Sequence, residues 1–299
     1  MNRPHRIGFI GLGMMGTPMA ECLAKAGYEV FIADADHQRV ADLQAKLSAT
    51  KLDPDNAKTL DVLITMLPNS NIVETVLLGS KSGPEQNGWT HVLPKGVVVI
   101  DMSSSEPARS RALGVTLAER GFDYLDAPVS GGVKRAKEGT LAILVGGDEA
   151  VLDRCKPLLE TMGKSVLHIG TAGAGHAAKA LNNYVSAAGL MATVEALHIA
   201  KRFGIDPAVM TDVLNASSGR SNTSENKVRQ FMLSGTFGSG FAMQLMNKDL
   251  KIARALSDAV GYPMKLGKNA TALWDEVSQQ ATPATDHTEM YRLLSDEDQ

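Results

Sequence analysis

The chain has 299 residues, of which 44% are hydrophobic and 21% charged, and this balance is typical of a folded protein long enough for two domains. A formal net charge of −3 argues against a surface that binds nucleic acid or an anionic membrane. No apolar run approaches the roughly eighteen residues of a membrane span, and the N-terminal residues do not read as a secretory signal. Two cysteines, Cys22 and Cys155, are too few for a disulfide framework, so we predict buried thiols in a reducing cytoplasm.

The chain begins with the pattern of a βα unit. Residues 6–10 are predicted to form a buried strand, residues 17–26 a helix and residues 28–33 a second strand, after which comes Asp34. A G-x-G-x-x-G motif fills the turn before the helix, and its residues are Gly11, Leu12, Gly13, Met14, Met15 and Gly16. This order of strand, motif, helix, strand and acid is the fingerprint of a dinucleotide-binding unit.

Each glycine of the motif has a role in that chemistry. Gly11 allows the tight turn, Gly13 lets the backbone approach a pyrophosphate, and Gly16 lets the helix pack close to the sheet. Free N–H groups at the start of the helix would then hold the phosphate charge. The motif therefore predicts dinucleotide binding, and the alternative is a glycine turn without a ligand.

Asp34 and its neighbours predict which dinucleotide is bound. Asp34 is placed to accept hydrogen bonds from the adenosine ribose hydroxyls, and together with Asp36 it would repel a 2′-phosphate. The residues directly after Asp34 bring no arginine to meet such a phosphate. We therefore predict NAD rather than NADP. The alternative is that Arg39 folds back and binds the 2′-phosphate, which would reverse the preference.

Later strands end in residues suited to ligand contacts. Leu67 and Pro68 follow the strand that begins at Asp61, and we expect them to cover the path from adenosine to nicotinamide. Ser103 or Ser104, after the next strand, can reach a ribose or the carboxamide, or can instead cap a helix that starts near Glu106.

The next loop, Ser130-Gly131-Gly132, combines a hydroxyl with two residues that lack side chains. A small anion can approach backbone N–H groups closely at such a place. At this edge of a nucleotide-binding sheet we expect a substrate carboxylate, and the alternative is a plain turn.

The pattern changes from strands to helices after Gly170. Residues 177–203 form one long predicted helix, and only helices are predicted after it, among them one over residues 224–233. We therefore predict an α/β protein: an N-terminal Rossmann-type doubly wound sheet at residues 1–171, followed by an all-α domain at residues 172–299, joined by this shared helix.

Lys179 is the best candidate for proton transfer. It lies among alanines near the start of the long helix, and Asn183 is on the same face one turn later. Partial burial and nearby cations would lower its pKa, so that it exchanges the hydroxyl proton while hydride moves to or from the nicotinamide. Asn183 would hold the same oxygen or the ammonium, and a carboxylate at Ser130 beside the reacting carbon suggests a small 3-hydroxy acid.

Three further polar residues are candidates for ligand or metal contacts. Lys248 is predicted in the first turn of a later helix, where it either belongs to a cap or reaches the cleft between the predicted domains to bind substrate or cofactor. His176 and His198 have no partner at metal-ligand spacing, and we predict no metal site.

Taken together, four stretches resemble the β-hydroxyacid dehydrogenase family over nearly the whole chain. Residues 8–19 are similar to its cofactor signature, residues 126–132 to its substrate loop, residues 170–183 to its catalytic stretch and residues 248–250 to its late lysine motif. This family includes 3-hydroxyisobutyrate dehydrogenase, tartronate semialdehyde reductase and L-threonate dehydrogenase.

The resemblance implies roles for individual residues and for the assembly. Lys179 stands in the place of the catalytic lysine, Asn183 in that of its partner, and Lys248 in that of a lysine that lines the active site. It also implies a homodimer or homotetramer formed through the helical domains. We predict an enzyme like 3-hydroxyisobutyrate dehydrogenase; the alternatives are a semialdehyde reductase, an L-threonate-type dehydrogenase, or a cofactor-binding module without catalysis.

Overall fold

A computed structural model describes residues 5–80 and 87–295. Nine strands lie in the N-terminal part of the chain: β1 (Arg6–Ile10), β2 (Glu29–Ala33), β3 (Thr50–Lys51), β4 (Val62–Thr65), β5 (Val98–Asp101), β6 (Asp123–Asp126), β7 (Val129–Ser130), β8 (Leu141–Gly147) and β9 (Gly163–Gly170). Seven helices lie among these strands: α1 (Gly16–Lys25), α2 (His37–Lys46), α3 (Pro54–Ala57), α4 (Ser70–Leu78), α5 (Pro107–Glu119), α6 (Gly132–Glu138) and α7 (Glu149–Leu159). Six more follow: α8 (Ala174–Phe203), α9 (Pro207–Ala216), α10 (Asn222–Asn226), α11 (Met243–Ala259), α12 (Lys265–Ser278) and α13 (Met290–Leu293).

The nine strands form one sheet. Its order is β3-β2-β1-β4-β5-β6-β8-β7, and β9 pairs with β8. The pairs from β3 through β6 are all parallel, whereas β8 runs antiparallel to both β6 and β7. The order 3-2-1-4-5-6 is that of a doubly wound nucleotide-binding sheet, as predicted. Its parallel strands place their carboxyl ends, and the loops that follow them, along one edge.

Alternating side chains of the central strands supply two cores, one on each face of the sheet. Ile7 and Phe9 of β1 belong to the first core, which also contains side chains of α1, α2 and α7. Ile10 belongs to the second core, with side chains of α4 and α5. Both faces of the sheet are therefore covered by helices, which explains why the strands read as continuous apolar runs.

The helical part of the chain has a core of its own. Leu190, Val194 and Leu197 of α8 recur at helical spacing and are fully buried there, together with Trp274 of α12. Three methionines of this part are also buried: Met243, Met246 and Met264. By density of contacts the chain divides into two compact units, residues 1–179 and 180–299, with the boundary inside α8.

Two of the sequence-based helix assignments are corrected. The predicted helix over residues 224–233 is instead α10 followed by a π-turn, Val228–Met232, because Ser221 caps α10 early and Lys227 leaves the helical region with φ of −126°. The helix that carries Lys248 begins at Met243, so Lys248 lies in its second turn and takes no part in a cap. No helix within residues 5–80 and 87–295 is both long and apolar enough to cross a bilayer.

Candidate active site

The glycine motif forms the turn from β1 into α1. Gly11 has a φ of +102°, and a Cβ there would lie 2.3 Å from the Met66 carbonyl oxygen. A Cβ on Gly16 would lie 1.9 Å from the Gly11 carbonyl oxygen, so both glycines are required by the fold itself. Around Gly13, in contrast, no heavy atom of the described residues lies within 4 Å of a Cβ position, apart from those of Gly13 and its chain neighbours.

This contrast is what a dinucleotide site requires. The space beside Gly13 is open, and the start of α1 has no side chain as its cap. Leu12 is buried and Met15 is half-buried, so these two side chains leave the backbone beside Gly13 accessible, whereas Met14 is exposed. The residues present therefore fit a pyrophosphate held by backbone N–H groups.

Asp34 lies beside this turn and is fixed by backbone donors. The Leu12 N–H donates to its Oδ2 at 2.6 Å, and the Asp36 N–H donates to its Oδ1 at 2.8 Å. Arg39 pairs with Asp36, with 3.3 Å between Nε and Oδ2. Asp36 thus competes for the arginine that would otherwise meet a 2′-phosphate, which supports the preference for NAD.

The loops after β4 and β5 are joined by hydrogen bonds. Leu67 is half-buried and its N–H donates to Ser103 Oγ at 2.8 Å, while Pro68 is exposed. Ser103 is itself buried, so its hydroxyl is structural, and Ser104 beside it is half-exposed. The capping alternative for these serines is wrong, because Glu106 is the N-cap of α5 and no side chain caps that helix.

The Ser130-Gly131-Gly132 loop leads from β7 directly into α6. Gly131 and Gly132 have φ of +139° and +70°, which only glycine adopts without strain. No side chain caps α6, and no heavy atom lies within 4 Å of a Cβ position on Gly132. The loop therefore offers backbone N–H groups and open space to a small anion.

Asp126, at the end of β6, binds the start of α8. Its Oδ1 accepts from the Gly173 N–H at 2.7 Å, and its Oδ2 accepts from the His176 N–H at 2.8 Å. These are N–H groups that a helix start leaves without partners, so a fully buried carboxylate serves as their acceptor. The segment that ends in the Ser130 loop and the helix that carries Lys179 are thereby tied together.

Lys179 and Asn183 occupy successive turns of α8. Lys179 is half-buried and Asn183 is 6% exposed. Asn183 Nδ2 donates to Asp249 Oδ2 at 2.6 Å, and its Oδ1 accepts from Asn182 Nδ2 at 3.1 Å. Asp249 also lies 3.9 Å from Lys248 Nζ.

Two groups in these surroundings have no role in the sequence-based prediction. Asp249 is buried and orients the Asn183 amide, and only its position beside Lys248 signals this. His176 is buried among polar groups of the first compact unit, residues 1–179. Within the described residues, no three His, Cys, Asp or Glu side chains lie close enough together to hold a metal ion.

Comparison with known proteins identifies the family. The model for the NAD-binding domain of 6-phosphogluconate dehydrogenase matches residues 6–170, and the model described as NAD-binding of NADP-dependent 3-hydroxyisobutyrate dehydrogenase matches residues 173–294. 2-(Hydroxymethyl)glutarate dehydrogenase of Eubacterium barkeri is 39% identical, over 92% of this chain and 90% of that protein. 2-Hydroxy-3-oxopropionate reductase of Escherichia coli K12 is 37% identical, over 97% of both chains.

The chain belongs to the β-hydroxyacid dehydrogenase family. A solved structure of Mycobacterium tuberculosis 3-hydroxyisobutyrate dehydrogenase with L-serine superposes with a TM-score of 0.87, at 31% identity, over 97% of this chain and 99% of the other. This β-hydroxyacid dehydrogenase is therefore an oxidoreductase that acts on a CH–OH group with a nicotinamide cofactor, and the predicted NAD binding is confirmed.

Proposed function

We propose that this β-hydroxyacid dehydrogenase transfers a hydride between NAD and a small 3-hydroxy carboxylic acid, with Lys179 as the general acid–base group. The observation that carries the proposal is the attachment of the Lys179 helix to the substrate loop, through the two hydrogen bonds that Asp126 accepts from the first turn of α8. A proton-transfer group and an anion-binding loop are thereby held in one unit of the chain.

The chemistry assigned to these residues is balanced. In the oxidation direction, Lys179 takes the hydroxyl proton as a neutral amine and becomes an ammonium. Asn183, held by Asp249, keeps the substrate oxygen in place. NAD, when bound, would accept the hydride from the carbon that carries this oxygen. In the reduction direction the Lys179 ammonium returns the proton.

We assign the substrate carboxylate to the backbone N–H groups of Ser130, Gly131 and Gly132, with Lys248 as a further contact to substrate or cofactor. The dinucleotide contacts are assigned to the glycine motif of residues 11–16, to Asp34, and to the loop residues Leu67, Pro68 and Ser104. These assignments rest on the open backbone described above and on the family resemblance. We also propose residues 1–171 as the cofactor domain and 172–299 as the helical domain.

The names of the relatives narrow the substrate class. 2-(Hydroxymethyl)glutarate, 2-hydroxy-3-oxopropionate and 3-hydroxyisobutyrate all carry their reacting oxygen on the carbon next but one to a carboxyl carbon. An anion loop that holds a carboxylate at a fixed distance from Lys179 would select this spacing. A physiological role in reduction of a semialdehyde is the second candidate, which the identity to the Escherichia coli reductase favours.

A panel of substrates tests the proposed class. The panel contains 3-hydroxyisobutyrate, L-serine, glycerate, 3-hydroxypropionate, 2-(hydroxymethyl)glutarate and L-threonate. We expect one of these acids to give the highest kcat/KM with NAD. 4-Hydroxybutyrate is the matched control, because its hydroxyl is one carbon further from the carboxylate. Its kcat/KM should be lower by about tenfold or more. A preference for 4-hydroxybutyrate would contradict the proposal.

The same assays measure cofactor preference. We expect kcat/KM for NAD to exceed that for NADP by about tenfold or more, because Asp34 and Asp36 repel the 2′-phosphate. A KM for NADP more than about tenfold below that for NAD would contradict the assignment.

We further propose a homodimer or homotetramer that is formed through the helical unit. Several apolar side chains of α8 and α9 are at least half exposed: Val185, Ile199, Phe203, Val209 and Val213. Apolar surface of this extent is typical of a subunit contact. Light scattering should give a dimeric or tetrameric mass for the wild type and a smaller mass for Phe203→Asp, and a monomeric wild type would contradict this.

A cytoplasmic location is the last part of the proposal. Cys22 and Cys155 are free thiols, and burial raises the pKa of Cys155 to about 12 and also raises that of Cys22. Protonated thiols of this kind suit a reducing compartment. Neither cysteine belongs to the proposed active site. Fractionation of the source cells should recover the protein in the cytoplasm, and recovery outside it would refute this location.

A further inference from the structure

His176 lies in the first turn of α8, three residues before Lys179, and is 1% exposed. Its Nε2 is 3.0 Å from the Ser103 carbonyl oxygen, and its Nδ1 is 2.8 Å from Ser110 Oγ. A carbonyl oxygen only accepts, so Nε2 carries a proton and donates to it. Both ring nitrogens thus have partners, and the ring is held in one orientation.

Two buried carboxylates flank the ring. Asp126 Oδ2 is 3.6 Å from Nδ1, and Asp101 Oδ2 is 3.8 Å from Nε2. Asp101 also accepts from Thr65 Oγ1 and Ser105 Oγ, at 2.9 Å each. Burial raises the pKa of the neighbouring Tyr124 well above its usual value, and the two carboxylates add to that effect. The His176 cluster, which consists of His176, Asp101, Asp126 and Tyr124, is therefore a polar core within residues 1–179.

Two partners of His176 lie in or directly before loops that are assigned to ligands. Ser103 belongs to the loop after β5, and its hydroxyl accepts from the Leu67 N–H of the loop after β4. Asp126 precedes the Ser130 loop and accepts from the His176 backbone. Through its ring and its backbone, His176 thus connects the start of the Lys179 helix to the proposed cofactor loops and to the proposed substrate loop.

We infer that His176 is a positioning residue for Lys179, acting through the hydrogen bond from its Nε2–H to the Ser103 carbonyl. That bond fixes the rotation and height of the first turn of α8 against the cofactor loop, and Lys179 follows on the next turn. A displacement of about 1 Å at a reacting group costs about a hundredfold in rate, so a small shift of this turn is enough to slow turnover. The inference rests on the proposed role of Lys179.

Two variants separate this hydrogen bond from simple packing. In His176→Gln the amide nitrogen lies about as far along the side chain as Nε2 and keeps the donor to Ser103. In His176→Asn the amide matches Nδ1, so the contact with Ser110 is kept but the donor to Ser103 is lost. Because glutamine also fills more space than asparagine, His176→Met is the packing control: it has about the size of glutamine and no donor, and neither it nor the two amides introduces a charge. A merely space-filling role predicts the same kcat for His176→Met as for His176→Gln, whereas the hydrogen bond predicts the loss expected for His176→Asn.

We expect His176→Gln to keep kcat within about threefold of the wild type, and His176→Asn to lower kcat by about tenfold or more. KM and the Kd of NAD should change by less than threefold in both variants, because the glycine turn and the Ser130 backbone are untouched. The primary deuterium isotope effect on kcat should rise in His176→Asn, because hydride transfer becomes slower than product release. Assays use NAD and the best hydroxy acid of the panel, well below each variant's Tm.

His168→Asn is the matched control. His168 Nε2 also lies within hydrogen-bonding distance of a main-chain carbonyl, that of Gly147 at 2.9 Å, but His168 is on strand β9 and Gly147 pairs with Leu125, which is not a partner of the His176 ring. Loss of the contact between His168 and the Gly147 carbonyl should leave kcat and the isotope effect unchanged.

Lys179→Ala, measured in parallel, separates failure of this inference from failure of the proposed function. Near-normal turnover of Lys179→Ala refutes the proposed function. A slow Lys179→Ala together with a fully active His176→Asn refutes only the positioning role. If His176→Asn does not fold, His176→Gln is decisive, since a loss of about tenfold or more in its kcat overturns the inference and retained kcat supports it.

Discussion

Lys179→Ala is expected to lower kcat by about a hundredfold or more while leaving the Kd of NAD within a few-fold of the wild type. The substitution removes the only group that we assign to proton transfer. The turn that would hold the pyrophosphate lies between β1 and α1 and gains or loses no atom. Steady-state kinetics with the best panel substrate and calorimetric titration of NAD measure the two quantities.

Two further lysine variants serve as controls for this result. Lys201 lies in the last turn of the same helix, so Lys201→Ala tests the loss of a lysine from α8 without loss of the proposed base. Lys179→Arg keeps the positive charge but cannot give up its proton near neutral pH, and it should be nearly as slow as Lys179→Ala. Normal turnover in Lys179→Arg would reject a proton-transfer role.

Gly13→Val is expected to raise the Kd of NAD by about tenfold or more, which is about 1.4 kcal/mol of binding free energy. Because no heavy atom of the described residues, apart from Gly13 and its chain neighbours, lies within 4 Å of a Cβ at this position, the new side chain begins in open space and occupies space assigned to the dinucleotide. The Tm without cofactor should therefore stay within about 2 °C of the wild type, a shift that corresponds to about 1 kcal/mol. Calorimetric titration and thermal melts measure both.

Gly16→Ala provides the contrast within the same motif. Its Cβ would lie 1.9 Å from the Gly11 carbonyl oxygen, so this single methyl group should lower Tm even without cofactor. Unchanged NAD binding in Gly13→Val would show that the open space is not part of the cofactor site.

Local sequence patterns were sufficient for the fold and for the motifs. The G-x-G-x-x-G turn, the apolar strands and the long helix through Lys179 are all encoded within short stretches, because turn chemistry and hydrophobic periodicity are local properties. The two faces of the sheet follow from the alternation of side chains along each strand. These features needed no knowledge of distant contacts.

Contacts between distant segments could not be read in this way. Ser103 was expected to touch a ligand or cap a helix, but its hydroxyl accepts from the backbone of Leu67, 36 residues away. Asn183 was expected to hold substrate, and the residue that orients it, Asp249, lies 66 residues further on. Pairings of this kind depend on which strands become neighbours, and no local pattern determines that.

The start of α11 shows the same limit. Its first N–H, that of Met243, donates to the Thr285 carbonyl at 2.9 Å, and Ala242 forms a bridge with Asp286. The helix therefore begins where a segment over forty residues later anchors it, earlier than its own residues suggest. This is why Lys248 lies in the second turn and why the capping alternative for it was wrong.

A single-turnover measurement tests the central claim most directly. The enzyme, in excess over NAD so that each NAD reacts once, is mixed rapidly with saturating hydroxy acid, and NADH formation is followed by absorbance in the wild type and in Lys179→Ala. We predict that hydride transfer slows by about a hundredfold or more in the variant, with an undiminished amount of bound NAD. An unchanged single-turnover rate in Lys179→Ala would contradict the account.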